Sequence, residues 1–165
     1  MRERRSDHVI LIADDDPDDR LLAEEALHEY DPLLELRFVK DGRQLVEYLN
    51  HDGQFSDPNS SPRPGLILLD LNMPFKSGLE ALVEIKSDPV LKLIPVIVMT
   101  TSRSNEDIVN SYSAGVNAFI TKPLAFGEFS RMINVLCTYW LEHVNLPIID
   151  EMGKNIRMEP VEQVS

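Results

Sequence analysis

The sequence has little cysteine and little positive charge, and it lacks a long apolar run. Cys137 is the single cysteine among 165 residues, so no disulfide can form within the chain. That is consistent with a reducing, cytoplasmic setting. Lysine and arginine number 16 against 28 aspartates and glutamates, which gives a net charge of −12. Because nucleic-acid binders need excess cations to displace counterions, a nucleic-acid partner is disfavoured.

The composition also argues against a membrane or secreted protein. No apolar run approaches the roughly 20 residues that a membrane span needs. The N-terminus, MRERRSDHVILIA, is basic, but its apolar run is short and leads straight into aspartates. No small-residue cleavage site follows, so a signal peptide is not predicted. With 43% hydrophobic residues, a chain of this length can bury the core of one domain.

Five short apolar segments predict strands of a parallel sheet. They are rich in Val, Ile and Leu and lack strict alternation with polar residues, which is typical of strands buried on both faces. The segments are Val9–Ala13, Leu36–Val39, Leu66–Leu69, Pro95–Thr100 and Ala118–Thr121. We therefore expect five strands buried from both sides.

Longer segments with helical spacing lie between the apolar runs and after the last one. They begin near Pro17, surround Leu45–Leu49 and Leu79–Ile85, and then cover Asn105–Ala114 and Ala125–His143. Five strands alternating with five helices predict an α/β protein of the flavodoxin-like, doubly wound (βα)5 class. Its five-stranded parallel sheet should have the order 2-1-3-4-5.

The chain should contain one folded domain with two flanking segments. We expect an N-terminal tail over residues 1–8, the domain over 9–143 and a C-terminal extension over 144–165. The segment His51–Gly65 is rich in Asp, Asn, Ser and Pro and predicts a long loop before the third strand.

Polar residues follow or end four of the predicted strands. They are Asp14, Asp15 and Asp16 after the first strand, Asp70 after the third, Thr100 at the end of the fourth and Lys122 after the fifth. In an open α/β sheet, ligands bind outside the carboxyl ends of the strands, where the strand order reverses. The first and third strands flank that point and should lie about 4.8 Å apart. Carboxylates crowded in this way favour a hard divalent cation such as Mg²⁺.

The same residues provide what phosphoryl transfer needs. The transferred group carries its charge on three equatorial oxygens, and each oxygen needs a stabilising partner. The metal, the Lys122 ammonium and the Thr100 hydroxyl with nearby backbone N–H groups are the candidates. Asp70 would be the attacking carboxylate and would form an acyl phosphate.

The aspartates of the first cluster have different expected roles. Asp16 directly precedes Pro17, and proline is favoured at the first helical position, so Asp16 is interpreted as the N-cap. Asp18 and Asp19 would lie in the first turn, where negative charge suits the helix dipole. That leaves Asp14 and Asp15 for the metal.

The segments that carry these residues resemble the receiver domain of two-component response regulators. They are Asp14–Asp15, LILLDLNMP around Asp70, PVIVMTTS around Thr100 and FITKP around Lys122, and the likeness covers about Val9 to His143. The resemblance implies that Asp70 is the phosphoacceptor, and that Thr100 and Lys122 hold the phosphoryl oxygens. It also implies a cis peptide bond between Lys122 and Pro123.

A Mg²⁺ site is implied by the same likeness. Asp15 would bind the metal directly, with Asp14 as the other member of the acidic pair. Asp70 would be a second ligand, and Asn72 would contribute its backbone carbonyl.

The resemblance further implies a switch that involves Thr100 and Phe119. On phosphorylation Thr100 is drawn in and the aromatic residue before the lysine swings inward, by a shift between pre-existing states. Many relatives have tyrosine at that position, so any contact made through its hydroxyl would be absent here. The alternative is that Phe119 simply packs.

A finer likeness concerns the partner. The PRPG loop, the pair Thr100–Thr101 and an extension without a DNA-binding domain are similar to stand-alone regulators paired with bacterial phytochrome kinases. The expected partner is therefore a sensor histidine kinase, with a bacteriophytochrome as the candidate, and the signal would pass through protein–protein contacts.

The fifth helix carries two apolar stripes. At about 100° per residue, Phe126, Phe129, Ile133, Leu136 and Trp140 share one face, which is the expected core face. Met132, Val135 and Tyr139 form the second stripe, an expected protein–protein interface. Receivers often dimerise through the fourth helix, fifth strand and fifth helix, so we expect a homodimer. The alternative is that the extension, with Leu146, Ile148 and Ile149, covers this stripe within one chain; it could also dock across the dimer.

Two other functions remain open at this point. A magnesium-dependent phosphatase that uses an aspartyl phosphate needs a second aspartate two residues beyond the nucleophile, and Asn72 stands there instead. A receiver-shaped scaffold without phosphorylation is disfavoured because all expected site residues are present. We therefore expect a non-enzymatic phosphoacceptor, with at most self-catalysed phosphotransfer and autodephosphorylation.

Overall fold

The computed structural model of the protein describes residues 8–149 and the backbone of residues 156–157. Five parallel strands form its central sheet: β1 (Val9–Ala13), β2 (Glu35–Val39), β3 (Leu66–Leu69), β4 (Val96–Thr100) and β5 (Ala118–Thr121). Their order is β2-β1-β3-β4-β5, which confirms the predicted flavodoxin-like, doubly wound fold. The strand order reverses between β1 and β3, the place where such sheets bind ligands.

Five α-helices connect and follow these strands. They are α1 (Pro17–Tyr30), α2 (Gly42–Asn50), α3 (Gly78–Ser87), α4 (Asn105–Ser113) and α5 (Phe126–Cys137). The long loop after α2 contains a short 3-10 helix, Gly53–Phe55, and a second one, Leu91–Leu93, precedes β4. None of the helices in the described ranges is long and apolar enough to cross a membrane.

The C-terminal segment differs from the prediction. The fifth helix changes from α to π geometry over Thr138–His143, and two short strands then pair antiparallel, β6 (Ile148–Ile149) and β7 (Ile156–Arg157). Strands of two residues are too short to produce the alternation from which a strand is predicted.

Helix starts follow from capping residues in the sequence. The Asp16 carboxylate accepts hydrogen bonds from the N–H groups of Asp18 (2.8 Å) and Asp19 (3.4 Å), which confirms the predicted N-cap of α1. Ser77 and Glu80 form a capping box at the start of α3. These caps fix where the loops after β1 and β3 end and the helices begin.

The sheet separates two apolar layers. Strands β1, β3 and β4 are buried along their whole length, and their alternate side chains enter opposite layers. The edge strands β2 and β5 are mostly only half-buried, so the prediction of five strands buried from both sides is wrong for these two, because each has a neighbouring strand on one side only. One layer, the α2–α3 layer, contains Leu11, Leu45 and Leu82. The other, the α1–α5 layer, contains Leu27 and Ile133.

The core face of α5 is confirmed for its middle and corrected at its start. Phe129, Ile133 and Leu136 are buried as predicted, and Trp140 packs partly buried against the α1–α5 layer. Phe126, however, is 41% exposed. It is the first residue of the helix, and its side chain lines a surface pocket at the carboxyl ends of the strands instead of entering the core.

The start of the C-terminal segment spans both layers. Leu141 packs against the α1–α5 layer, whereas Ile149 packs against the α2–α3 layer. Residues 142–148 therefore carry the chain from one side of the sheet to the other. Val135 and Tyr139 remain 65% and 56% exposed.

Candidate functional site

Three carboxylates meet where the strand order reverses. Ala13 pairs with Leu69 in the sheet, so the next residues, Asp14 and Asp70, lie side by side, and the Asp70 N–H donates to the Ala13 carbonyl at 3.0 Å. One carboxylate oxygen each from Asp14, Asp15 and Asp70 lies within 4.8 Å of the others. The side chains of Asp14 and Asp70 are only 6% and 12% exposed, whereas Asp15 is exposed. We refer to these three residues as the acidic trio.

Local hydrogen bonds orient the two buried carboxylates. Asp14 Oδ1 accepts from the Asp16 N–H at 3.0 Å, and Asp70 Oδ1 accepts from the Asn72 N–H at 3.1 Å. The Arg20 guanidinium donates to the Asp14 carbonyl at 2.8 Å. The loops after β1 and β3 thus orient the two carboxylates through their own backbone N–H groups.

Lys122 places an ammonium group against these carboxylates. Its Nζ lies 2.7 Å from Asp14 Oδ2, 3.3 Å from Asp70 Oδ2 and 3.5 Å from Asp19 Oδ2. Burial by itself would lower the pKa of Lys122, but the hydrogen bond to Asp14 and the charges of Asp70, Asp14 and Asp19 outweigh it, and the pKa is raised. Lys122 is therefore a firmly charged cation at neutral pH.

The peptide bond after Lys122 corrects one expectation. It is trans, not cis, which is the lower-energy isomer of an X-Pro bond by about 0.5–1 kcal/mol. The trans geometry still lets the ammonium reach Asp14 and Asp70.

The two residues of the predicted switch lie on adjacent strands, Thr100 on β4 and Phe119 on β5. Thr100 is fully buried at the end of β4, its hydroxyl accepts from the Ser102 N–H at 3.4 Å, and its carbonyl accepts from the Lys122 N–H at 2.7 Å. Phe119 is partly buried against the α2–α3 layer, and its N–H donates to the Tyr112 hydroxyl at 3.3 Å. Thr100 is thus linked to Lys122 through the backbone, and Phe119 packs as the alternative reading expects; its inward swing stays a prediction.

The acidic trio fits a magnesium ion. Mg²⁺ binds oxygens at about 2.0–2.1 Å, so opposite ligands are about 4.2 Å apart. The oxygens of the trio span up to 4.8 Å and need only a small closure. Asp15 is exposed, and the Asp70 side chain is less buried than that of Asp14, at 12% against 6% exposed, so Asp15 and Asp70 are the better direct ligands. Exposure of Asp15 leaves room for the waters that Mg²⁺ retains.

Asp19 also belongs to the site, although the sequence predicted for it only a favourable interaction with the dipole of α1. Its carboxylate contacts Lys122. Burial raises the pKa of Asp19; Lys122 lowers it, and Asp14 and Asp16 raise it further. A signal was present in the spacing, since Asp19 precedes the buried residues Ala23 and Ala26 by four and seven positions and so shares their inward helix face.

An apolar pocket adjoins the charged groups between α1 and α5. Leu22, Met99, Leu124 and Phe126 line it, together with Asp19 and others of the charged residues. Leu124 is 95% exposed. A group that approaches Asp70 from this side meets both apolar and charged side chains.

The sequence matches one family over most of its length. The family model described as the response regulator receiver domain matches residues 10–134. A curated relative, the response regulator Rcp1 of Synechocystis sp., is 41% identical over 139 residues, which cover 84% of this chain and 92% of Rcp1.

Solved structures agree with that match. The phosphorylated cyanobacterial phytochrome response regulator RcpA superposes with a TM-score of 0.80 at 39% identity, covering 85% of this chain and 98% of RcpA. The Mn²⁺-bound form of Rcp1 superposes with a TM-score of 0.77 at 41% identity, covering 85% of this chain and 99% of that one.

Proposed function

The chain belongs to the response regulator receiver domain family, and from that premise we propose that its Asp70 accepts a phosphoryl group from a sensor histidine kinase. The observation that carries the proposal is the gathering of Asp70, its acidic neighbours and the Lys122 ammonium at one point of the sheet. An ordinary structural salt bridge does not need three carboxylates around one lysine. Phosphoryl transfer needs both an anionic nucleophile and cations around the transferred group.

Each residue has a defined part in the proposed reaction. An Asp70 carboxylate oxygen attacks phosphorus, the bond from phosphorus to the donor nitrogen breaks, and its electron pair stays on the donor imidazole. Lys122 and the Thr100 hydroxyl donate hydrogen bonds to the phosphoryl oxygens. Asp15 and Asp70, with the Asn72 carbonyl and support from Asp14, would hold Mg²⁺, which neutralises charge on those oxygens when bound. The Mn²⁺-bound form of Rcp1 supports a divalent metal here.

The output of the proposed reaction is a conformational change and not a product. Contacts to the phosphoryl group would draw Thr100 inward and bias Phe119 between two positions, and protein–protein contacts would transmit the change. The protein would be a phosphoacceptor and not an enzyme, with at most self-catalysed phosphotransfer and autodephosphorylation. A cytoplasmic location and the domain limits 9–143 stay predictions.

The proposed partners are a kinase and a second copy of the chain. Similarity to the cyanobacterial phytochrome response regulator RcpA supports a bacteriophytochrome as the kinase. The exposed side chains of Val135 and Tyr139 and the half-buried Met132 support a homodimer through α4, β5 and α5. Ile149 packs on its own chain, so the part of the C-terminal extension that would dock on the partner chain lies beyond it.

The direct test is intact mass spectrometry with a small phosphodonor and Mg²⁺. We expect one added phosphoryl group on the native protein, none on Asp70→Asn and one on the control Asp18→Asn, which changes an exposed aspartate of α1. Addition to Asp70→Asn would refute the assignment of the acceptor. No addition to the native protein would favour the scaffold, and sustained turnover of a generic phosphate ester would favour the phosphatase.

Phosphotransfer profiling then tests the kinase. The native protein is incubated with each phosphorylated histidine kinase of the source organism in turn. We expect the fastest transfer from a phytochrome kinase, and preferential transfer from an unrelated kinase would overturn that part of the proposal.

A further inference from the structure

Asp19 gives Lys122 a partner outside the acidic trio. We propose that Asp19 is a positioning residue that takes over the Lys122 ammonium when a divalent cation binds the trio, so that the cation and the lysine can occupy the site together. This inference rests on the proposed function, because it concerns the same metal and the same lysine.

Lys122 and a metal ion compete for the same oxygens. Lys122 donates to Asp14 and Asp70 at 2.7 and 3.3 Å, and both residues belong to the trio that fits Mg²⁺. A cation in the trio neutralises these carboxylates and repels the ammonium. Lys122 must then either leave them or hold the cation off.

Asp19 is placed to receive the displaced ammonium. Its Oδ2 lies 3.5 Å from Lys122 Nζ, so a small shift of the lysine tip completes a close ion pair. Its backbone N–H, not its carboxylate, contributes to the cap of α1. The Asp19 carboxylate is not part of the trio, so cation binding leaves its charge available to Lys122.

The surroundings strengthen this pair. Asp19 and Lys122 both line the pocket that Leu22, Leu124 and Phe126 also line. Only 11% of the Lys122 side chain is exposed, against 39% of the Asp19 side chain. Charges beside apolar surface attract more strongly than charges in bulk water, which keeps the displaced ammonium beside the site.

Loss of Asp19 should therefore weaken metal binding through Lys122. With asparagine at position 19, Asp14 and Asp70 are the carboxylates left close to the ammonium among the residues that the structure describes, and the ammonium competes harder with the cation. The expected loss in Mg²⁺ affinity is about two- to fivefold, the range that partly exposed ion pairs give.

A double-mutant cycle separates this effect from a general loss of negative charge. MgCl₂ is titrated by isothermal calorimetry into the native protein, Asp19→Asn, Lys122→Met and the double variant, with Asp18→Asn as the charge control. We expect the loss in Asp19→Asn, a much smaller change in Asp18→Asn, and little further loss when Asp19→Asn is added to Lys122→Met. Circular dichroism checks folding, and Lys122→Gln replaces Lys122→Met if the latter does not fold.

Equal losses with and without the lysine, or equal losses in Asp18→Asn and Asp19→Asn, would overturn the role of Asp19. Those results would leave the proposed function intact, since the native protein would still bind Mg²⁺ and accept a phosphoryl group. Failure of the native protein to do either would instead refute the proposed function.

Discussion

Gly78→Ala should damage the site through the backbone of the phosphoacceptor. Gly78 is the first residue of α3, it is buried, and its N–H donates to the Leu71 carbonyl at 2.9 Å. A Cβ atom at this position would lie 2.2 Å from the Asp70 carbonyl oxygen and 2.7 Å from Leu71 Cα. The helix therefore starts against the residue that we propose is phosphorylated.

The size of the effect follows from what the methyl group meets. The contact with the Asp70 oxygen is about 1 Å too short for van der Waals packing, and the atoms it meets are backbone, so no side-chain rotation can relieve it. Overpacking of this kind costs about 1–3 kcal/mol, and a backbone clash belongs at the upper end. With a urea m-value of about 1–3 kcal/mol/M, the unfolding midpoint should fall by roughly 1 M.

Gly127→Ala provides the matched control. A Cβ atom on Gly127 meets no atom within 4 Å, and the residue lies inside α5. The same substitution there should raise the free energy of unfolding by about 0.4–1 kcal/mol, because alanine loses less chain entropy on folding.

Urea denaturation and Mg²⁺ titration together measure both consequences. Gly78→Ala should lose stability and also Mg²⁺ affinity, because the shift displaces the Asp70 carboxylate. Gly127→Ala should gain stability and keep its affinity. If Gly78→Ala matches the native protein in both measurements, the close approach of α3 to Asp70 is not what positions the carboxylate.

Four further predictions concern other parts of the molecule. Mg²⁺ at a hundred times its dissociation constant should stabilise the native protein by about 2.7 kcal/mol, measured as a rise in melting temperature that chelation reverses. Asp15→Asn should lose most of this rise, and an undiminished rise in the variant would show that Asp15 is not a metal ligand. Charged residues in place of Met132 and Tyr139 should give monomers in sedimentation, and an unchanged dimer would show that this stripe is not the interface. Burial, with the charge of Glu142, raises the pKa of Cys137 to about 12 from 9.0, so the folded thiol should resist alkylation at pH 8, and rapid alkylation of the native protein would contradict this. The thiol of the unfolded chain ionises first, so the stability that the buried neutral thiol contributes should be lost as pH rises from about 9 towards 12. Ser77→Ala removes half of the α3 capping box and should cost about 0.5–2 kcal/mol in urea denaturation, whereas an unchanged midpoint would show that the cap adds no stability.

The three central strands could be predicted because they are apolar at nearly every position. A run such as Leu66–Leu69 is apolar at every position, and only a strand covered on both faces accommodates that. Two strand starts differ from the prediction by one residue. Strand β2 begins at Glu35 instead of Leu36, and β4 begins after Pro95, which has no N–H to donate to a neighbouring strand. The polar residues at the strand ends then gave the position of the site through topology alone.

The details that were missed depend on geometry beyond one element. Aspartate is a common residue in the first turn of a helix, so nothing local marks Asp19 as a site residue. Asp19 becomes part of the site because Lys122, which follows β5 far along the chain, lies beside it. Phe126 fits the apolar stripe of α5 by angle, but the helix begins there, beyond the core. The trans bond before Pro123 and the two-residue strands near the C-terminus carry too little local signal to predict.

The passage of the chain from one layer to the other after α5 has a consequence for biosynthesis. Apart from Ile149, the α2–α3 layer is built from residues at positions 11–119, so it can assemble while later residues are still being translated. Ile149 follows α5 in the chain, so it is translated, and becomes available to this layer, only after the residues of α5. The C-terminal segment therefore supplies the last-translated apolar contact of a layer whose other residues, including those of the phosphoacceptor strand, precede it in the chain.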